Sequence, residues 1–236
     1  MRFSSVELGV SPYMTHPLDP RFPEPVRELW ATLSADVVWL HGRWSIYRQL
    51  FGTNQDRIDL LNEAAGTTVT WIFQQLLLHD VQLTLSKIGE PAGKGDRKNL
   101  TLRRLQQTLR NAGDSAIADA MEIPLGRFEV ASQKLVHRRN KWIAHSDLET
   151  RLSSRVSPLA GPSRQEIEDS LSPLREAMNC VELKFTGSRT VYEHFVMNQD
   201  GEHLLSSLVR AKRYSELVKE GGIPRDDICR RFPSGV

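Results

Sequence analysis

The segment HRRNKWIAHSD, residues 137–147, gathers two arginines, two histidines, an asparagine and a lysine around a Trp-Ile pair. These side-chain types suit reactions at a phosphate group. A histidine with an ordinary pKa near 6.5 transfers protons at neutral pH. A guanidinium is planar and permanently charged, and it holds two phosphate oxygens at once. The segment is therefore the first candidate for a reactive site.

Arg139 occupies a position that the helical pattern marks as apolar. On a wheel of about 100° per residue it falls close to Phe128 and Leu135. An isolated buried guanidinium costs several kcal/mol, so Arg139 is expected to be paired, to line a cleft or to face a partner chain. Two explanations stay open: an arginine that lines a cleft or a contact with a partner chain, or a snorkelling or internally paired arginine with a structural role.

The spacing of arginine and histidine is a weaker signal. An arginine followed by a histidine five to seven positions later occurs in Arg139–His145, in Arg138–His145 and in Arg189–His194, so some matches are accidental. On an unbroken α-helix, Arg139 and His145 would lie about 120° apart around the axis and about 9 Å apart along it. A bend or a second protomer is therefore required before both reach one phosphate.

The elements that must position these residues are predicted to be helices, because apolar residues recur every three or four positions. Ser163 and Glu166 form a capping-box pattern at one helix start. The predicted helices run from Val26 to Phe51, from about Asn54 to Ile88, from near Asn99 to Gly113, from Asp114 through a disturbance at Pro124 to about Asp147, from Ser163 to Phe185, and from about Glu202 to Lys219. Residues 190–196 are predicted to be extended.

Long helices joined by short turns predict an all-α fold: a bundle of about five helices, with long antiparallel helices and a C-terminal helical appendage. Proline-rich residues 1–23 are expected to be an irregular lead-in. The bundle is expected over residues 24–186, and the appendage, with one amphipathic helix, over residues 187–236.

Composition sets limits on the function. The chain has 236 residues and a net charge of +2, which is too mild to indicate a nucleic-acid partner by itself. Cys180 and Cys229 lie far apart, which favours reduced thiols over a disulfide framework or a zinc site. The opening residues lack the apolar core of a signal peptide, and no apolar run has the length of a membrane span. We expect a cytoplasmic protein with no membrane association, no cofactor and no metal.

The motif RNKWIAH resembles the RNA-cleaving motif of the HEPN superfamily. Further segments resemble, in the same order, the abortive-infection U-type branch of that superfamily. They are DVVWLHGRWSIYRQLFG (36–52), IDLLNEAA (58–65), LLLHDVQLTLSKIGEP (76–91), NLTLRRL (99–105) and HRRNKWIAHSDL (137–148). Together they cover most of residues 36–148.

The resemblance implies a homodimer whose two motifs meet in one composite cleft, and cleavage of RNA without a metal. His145 would be the general acid or base, Arg139 the phosphate and transition-state stabiliser, and Asn140 an orienting residue. The ribose 2′-hydroxyl would be the nucleophile, and the products would carry 2′,3′-cyclic phosphate and 5′-hydroxyl ends. A phage-defence or toxin-type role is expected, with an antitoxin or regulator as a possible partner.

Other polar residues are candidates for substrate contacts, each with a structural alternative. His137, Arg138, Lys141 and Asp147 belong to the same segment, and a solvated basic edge is the alternative. The polar positions Asn62, Glu63 and Asp80 interrupt apolar helices, where hydrogen bonds within the bundle are the alternative. The loop and helix start at residues 94–104 carry basic side chains that would track an RNA backbone or simply be solvated: Lys94, Arg97, Lys98, Arg103 and Arg104.

Three functions therefore remain in competition. The first is a metal-independent endoribonuclease, favoured because arginine, asparagine and histidine are all present in the motif. The second is a non-catalytic HEPN domain that binds RNA or a protein. The third is a helical interaction module in which Arg139 is only a structural ion pair.

Overall fold

The computed structural model describes residues 18–95, 98–143, 161–194 and 197–224, and this part of the chain is helical with no strand. The all-α prediction is confirmed. The α-helices are α1 (Glu24–Phe51), α2 (Gln55–Ala65), α3 (Thr67–Ile88), α4 (Leu102–Asn111), α5 (Ser115–Ala120), α6 (Glu122–Arg138), α7 (Arg164–Thr186) and α8 (Gly201–Lys219). A π-helical turn, Arg139–Ile143, continues α6, and a 3-10 turn spans Tyr192–His194.

Local signals placed several helix ends correctly. The capping box at the start of α7 is present, because the Ser163 hydroxyl accepts from the Glu166 backbone N–H and the Glu166 side chain accepts from the Ser163 backbone N–H. Asn54 and Thr101 cap α2 and α4 with their side-chain oxygens. Pro173 lies inside α7 without ending it.

Three predictions about the elements were wrong. The helix expected from Asn54 to Ile88 is divided at Gly66, whose φ of 85° is a left-handed conformation that favours glycine. The break before α6 falls at Met121, and Pro124 sits in the first turn of α6, where a missing N–H costs nothing. Within residues 190–196, Tyr192–His194 form a 3-10 turn and are not extended.

The described residues form two compact units, and the division between them passes through α1 and α3. The first unit comprises the described residues within 1–44 and 78–196. Its core is built from apolar side chains of α1, α3, α4, α6 and α7 with almost no solvent exposure, including Leu40, Leu85, Leu105, Phe128 and Leu174. The domain boundaries expected at residues 23/24 and 186/187 stay predictions.

His41 is a buried polar residue in the first unit. Its Nδ1 lies 2.8 Å from the Val37 carbonyl oxygen, and its ring packs 5.2 Å from the ring of Tyr192. Burial lowers the pKa of His41 to about 4. The imidazole is therefore neutral at pH 7.

The second unit comprises the described residues within 45–77 and 197–236. The Asp200 carboxylate accepts from the Gln49 amide at 2.7 Å, and a Cβ on Gly201 would lie 2.9 Å from that of Gln49, so α8 begins directly against the end of α1. The N-terminal part of α3 exposes large apolar side chains, including Ile72 and Leu76. Among the described helices, none combines the length and apolar character needed to cross a membrane.

Candidate functional site

The helix that carries the candidate motif changes its geometry at Arg139. Along α6, Phe128 and Leu135 are buried with at most 1% exposure, which confirms the predicted apolar face. The regular α-helix ends at Arg138, and the π-helical turn begins with Arg139. A π-turn bonds residue i to residue i+5, and such turns occur often at functional sites. The helix therefore departs from regular α-helical geometry at the arginine itself.

Arg139 is paired in this structure. Its guanidinium forms an ion pair with the Glu90 carboxylate. Its Nε and Nη2 donate to the Asn140 side-chain oxygen at 3.0 and 2.8 Å. The Arg139 side chain is 15% exposed and that of Glu90 is 36% exposed. The internal pairing that was one of the two explanations for Arg139 is thus present, and the pair is partly buried.

Two close contacts between α3 and α6 place Glu90 beside Arg139. A Cβ on Gly89 would lie 2.8 Å from the Phe128 ring, so only glycine allows this approach at the end of α3. Earlier in the same helix α3, the buried Gln82 amide donates to the Leu135 carbonyl oxygen at 3.0 Å. This is the carbonyl that also accepts from the Arg139 backbone N–H. The start of the π-turn is therefore anchored to α3.

Arg138 faces a separate cavity. This cavity has a volume of about 430 Å³, and Lys134, His137, Arg138 and Glu166 are among its lining residues. Burial lowers the pKa of the Arg138 guanidinium, which means that the charged group is partly dehydrated. Groups with shifted pKa values in a cavity are candidates for a functional site.

His79 of α3 lies close enough to Arg138 for their charges to interact. Burial lowers the pKa of His79, and the positive charge of Arg138 lowers it further. Within the described residues, its Nε2 is a buried nitrogen without a hydrogen-bond partner. A neutral imidazole is therefore held beside the cavity at pH 7.

A second cavity, of about 510 Å³, lies on the Glu90 side of the site between α1, α3 and the segment before α4. Its wall is polar. The Arg43 Nε pairs with the Asp80 carboxylate at 2.7 Å, and the Arg43 Nη2 donates to the Thr84 hydroxyl at 3.3 Å. The candidate role of Asp80 in substrate contacts stays a prediction, and its carboxylate pairs with Arg43 of the same chain.

The structure brings together only part of the predicted set. His137, Arg138, Arg139 and Asn140 lie together at the end of α6, and Lys141 follows in the π-turn. His145 and Asp147 lie outside the described residues. Asn62 and Glu63 belong to α2 in the second unit, where the Glu63 carboxylate pairs with Lys212 at 2.7 Å. The roles assigned to all of these residues stay predictions.

The basic cluster at residues 94–104 is less available for contacts with an RNA backbone than the sequence indicated, because some of its side chains have partners within the chain. Arg103 pairs with Glu129 at 2.7 Å and with Glu122 at 3.0 Å, and these carboxylates raise the pKa of its guanidinium. Arg104 donates to the Ala92 carbonyl oxygen. Lys94 and Lys98 are exposed, and Arg97 lies outside the described residues.

Sequence reasoning missed Glu90, His79 and Gln82. A signal existed for the first two: Glu90 follows the glycine that ends α3, and His79 interrupts an apolar run. Their partners are more than forty positions away along the chain, so periodicity did not connect them. In the described ranges, no three His, Cys, Asp or Glu side chains are grouped in a way that would hold a metal ion.

A protein-family model matches most of the chain. The model of the HEPN AbiU2 family, described as AbiU2, matches residues 24–204. This range includes every helix from α1 to α7 and both cavities. Neither a curated protein nor a solved structure matches the chain.

Proposed function

The chain belongs to the HEPN AbiU2 family, and from this we propose that it is a metal-independent endoribonuclease whose products carry 2′,3′-cyclic phosphate and 5′-hydroxyl ends. The observation that carries the proposal is the π-turn that starts with Arg139 and Asn140. Arg139 directly follows Arg138, which lines one cavity, and pairs with Glu90, which lines the other. π-helical turns of this kind are frequent at functional sites.

The proposed chemistry uses the substrate's own nucleophile. The ribose 2′-oxygen attacks the adjacent phosphorus, a bond forms between them, and the bond from phosphorus to the 5′-oxygen breaks. His145 takes the proton of the 2′-hydroxyl or gives one to the departing 5′-oxygen, and its counterpart from a second protomer performs the other transfer. Arg139 stabilises the additional negative charge on the phosphoryl oxygens. Asn140, already bonded to Arg139, orients the guanidinium.

Arg139 keeps capacity for phosphate although it is paired. A guanidinium has five N–H donors. The bond to Glu90 uses one hydrogen at Nη1, and the bonds to Asn140 use one at Nε and one at Nη2. Arg138 adds a second, partly dehydrated guanidinium next to it. Two adjacent cations on one helix end match the charge of an RNA backbone.

We also propose a homodimer with a composite site, because the HEPN resemblance implies one and the spacing of Arg139 and His145 requires either a bend or a second protomer. Support comes from α3 in the second unit. Val69, Ile72, Phe73 and Leu76 are 56%, 44%, 39% and 61% exposed. Their i, i+3, i+4, i+7 spacing makes one apolar stripe, which suits a helix pairing with its own copy.

The test is a cleavage assay on purified RNA with excess EDTA. Wild type is expected to cut and to leave cyclic phosphate ends, and His145→Ala and Arg139→Ala are expected to lose cleavage by at least about a hundredfold. Arg189→Ala is the matched control, because it removes an arginine from the accidental Arg-His match. Cleavage that stops with EDTA and returns with Mg²⁺ would overturn the mechanism.

A non-catalytic HEPN module that binds RNA or a protein is the second candidate. The observation in its favour is the Arg139–Glu90 ion pair, which gives the arginine a structural partner. RNA binding by wild type without any cleavage, in the same assay, would select this candidate. The defence or toxin role is tested by expression: growth arrest that His145→Ala abolishes supports an effector, and rescue by a neighbouring gene product would identify an antitoxin or regulator.

A further inference from the structure

The cavity of about 510 Å³ beside Glu90 contains charged groups of two kinds. Some are neutralised by partners: Arg43 pairs with Asp80, and Glu90 pairs with Arg139. Others line the cavity without an ion pair or a hydrogen bond to the part of the chain that the structure describes. These are Asp36 of α1, Lys87 of α3, and Lys98 in the segment before α4.

The charges of these unpaired groups indicate which kind of ligand the cavity would bind. Two ammonium groups and one carboxylate leave a net charge of +1 once the paired groups are set aside, so the cavity favours an anion that also carries N–H donors. The Asp36 carboxylate is half-buried, and this burial is the main reason that its pKa is raised, against the nearby charges of Arg43 and Lys87. A dehydrated carboxylate gains most from a ligand that donates hydrogen bonds to both of its oxygens.

We infer that this cavity is a subsite for a guanine nucleotide of the RNA substrate, with Asp36 reading the base and Lys87 and Lys98 holding its phosphate. This inference rests on the proposed function. Guanine presents two adjacent donors, N1–H and the 2-amino group, which match the two oxygens of a carboxylate. Adenine and cytosine place a ring acceptor beside their single amino group, and uracil flanks its N3–H with carbonyl oxygens, so each meets Asp36 with a repulsive contact.

The position of the cavity fits a nucleotide next to the scissile phosphate. Glu90 lines the cavity and is also the ion-pair partner of Arg139. The base pocket and the proposed phosphate-binding arginine are therefore separated by a single side chain. A volume of about 510 Å³ lies within the range of about 300–1,000 Å³ that is usual for small-ligand sites.

The first test is direct binding, which does not depend on cleavage. The full chain is titrated calorimetrically with GMP, AMP, CMP and UMP. GMP is expected to bind at least about tenfold more tightly than the other three, and Asp36→Asn is expected to remove this preference, because the amide replaces one acceptor with a donor. Glu28→Gln is the matched control: it neutralises an exposed carboxylate on the same helix that does not line the cavity. Lys98→Ala is expected to weaken GMP but not guanosine.

The second test maps the ends of a random RNA pool after cleavage. Wild type is expected to enrich guanine at one fixed position next to the cut. Asp36→Asn is expected to lose the enrichment, and the control Glu28→Gln is expected to keep it. Equal binding of the four nucleotides, no binding at millimolar concentration, or an unchanged GMP preference in Asp36→Asn overturns the subsite. Selective GMP binding with no guanine enrichment overturns its assignment to the substrate and indicates a free nucleotide. Selective binding without any RNA cleavage leaves the subsite standing and rejects the proposed function.

Discussion

The ion pair between Arg139 and Glu90 allows a prediction that connects stability to function. If Arg139 were waiting alone in an open cleft, Arg139→Ala would leave the melting temperature unchanged or raise it. The pairing in the structure changes this expectation, because the substitution leaves the Glu90 carboxylate partly buried without its partner. A loss of stability is therefore expected even if Arg139 is catalytic.

The magnitude follows from the exposure of the pair. Exposed ion pairs contribute about 0.2–1 kcal/mol, whereas breaking a buried pair costs about 3–5 kcal/mol. With side chains 15% and 36% exposed, the pair lies between these limits. We expect Arg139→Ala to cost about 1–3 kcal/mol and to lower the melting temperature by about 2–12 °C, at about 2–4 °C per kcal/mol for a chain of this size.

The assay is a double-mutant cycle of Arg139→Ala and Glu90→Gln, followed by calorimetric melting and by RNA cleavage. A coupling free energy of about 1–2 kcal/mol is expected, with the cleavage rate lost in both variants that lack Arg139. Glu90→Gln alone is expected to raise kcat/KM by up to about tenfold, because the carboxylate competes with phosphate for the guanidinium. The control cycle uses Arg110 and Asp119, an exposed pair at 2.8 Å.

Two results would refute this reasoning. A coupling below about 0.3 kcal/mol, no larger than additivity error, would mean that the pair does not stabilise the fold. Loss of cleavage in Glu90→Gln as large as that in Arg139→Ala would mean that Glu90 positions the arginine and does not compete with the substrate.

Three further outcomes are expected. The first concerns His41, whose pKa is lowered to about 4 in the folded chain. Between pH 6.5 and pH 4 the unfolded chain therefore binds a proton at this residue that the folded chain does not bind. The free energy of unfolding should fall by about 3 kcal/mol as the pH drops through this window. Melts of His41→Leu should lose this pH dependence, and those of the exposed control His203→Gln should keep it. The second concerns the oligomeric state in sedimentation, where wild type should run as a dimer and Leu76→Glu as a monomer. Trp71→Glu changes the opposite side of α3 and should remain dimeric. A monomeric wild type would reject the composite site. Gly89→Ala should cost about 1–3 kcal/mol in a denaturant titration and reduce cleavage, because its Cβ meets a ring of α6 at 2.8 Å; a neutral result would show that α3 shifts freely.

The helices were predictable because their signals are local. The apolar periodicity of α1 and the capping box of Ser163 each involve residues within about one or two turns. Such contacts join residues that are close together in the sequence, so a sequence pattern is enough to predict them. The unusual placement of Arg139 was visible for the same reason, since it breaks the apolar face of one helix.

The sequence by itself thus determined the helical class, most helix ends and the segment that carries the candidate chemistry. Only the tertiary structure decided which groups surround that segment. Glu90 is 49 positions from Arg139, and the guanine subsite draws its charges from α1, α3 and the segment before α4. The end of α2 at Gly66 was not predictable from the apolar periodicity, because this periodicity continues through Gly66. Distances between elements depend on how their side chains pack, and packing is a property of the folded chain as a whole.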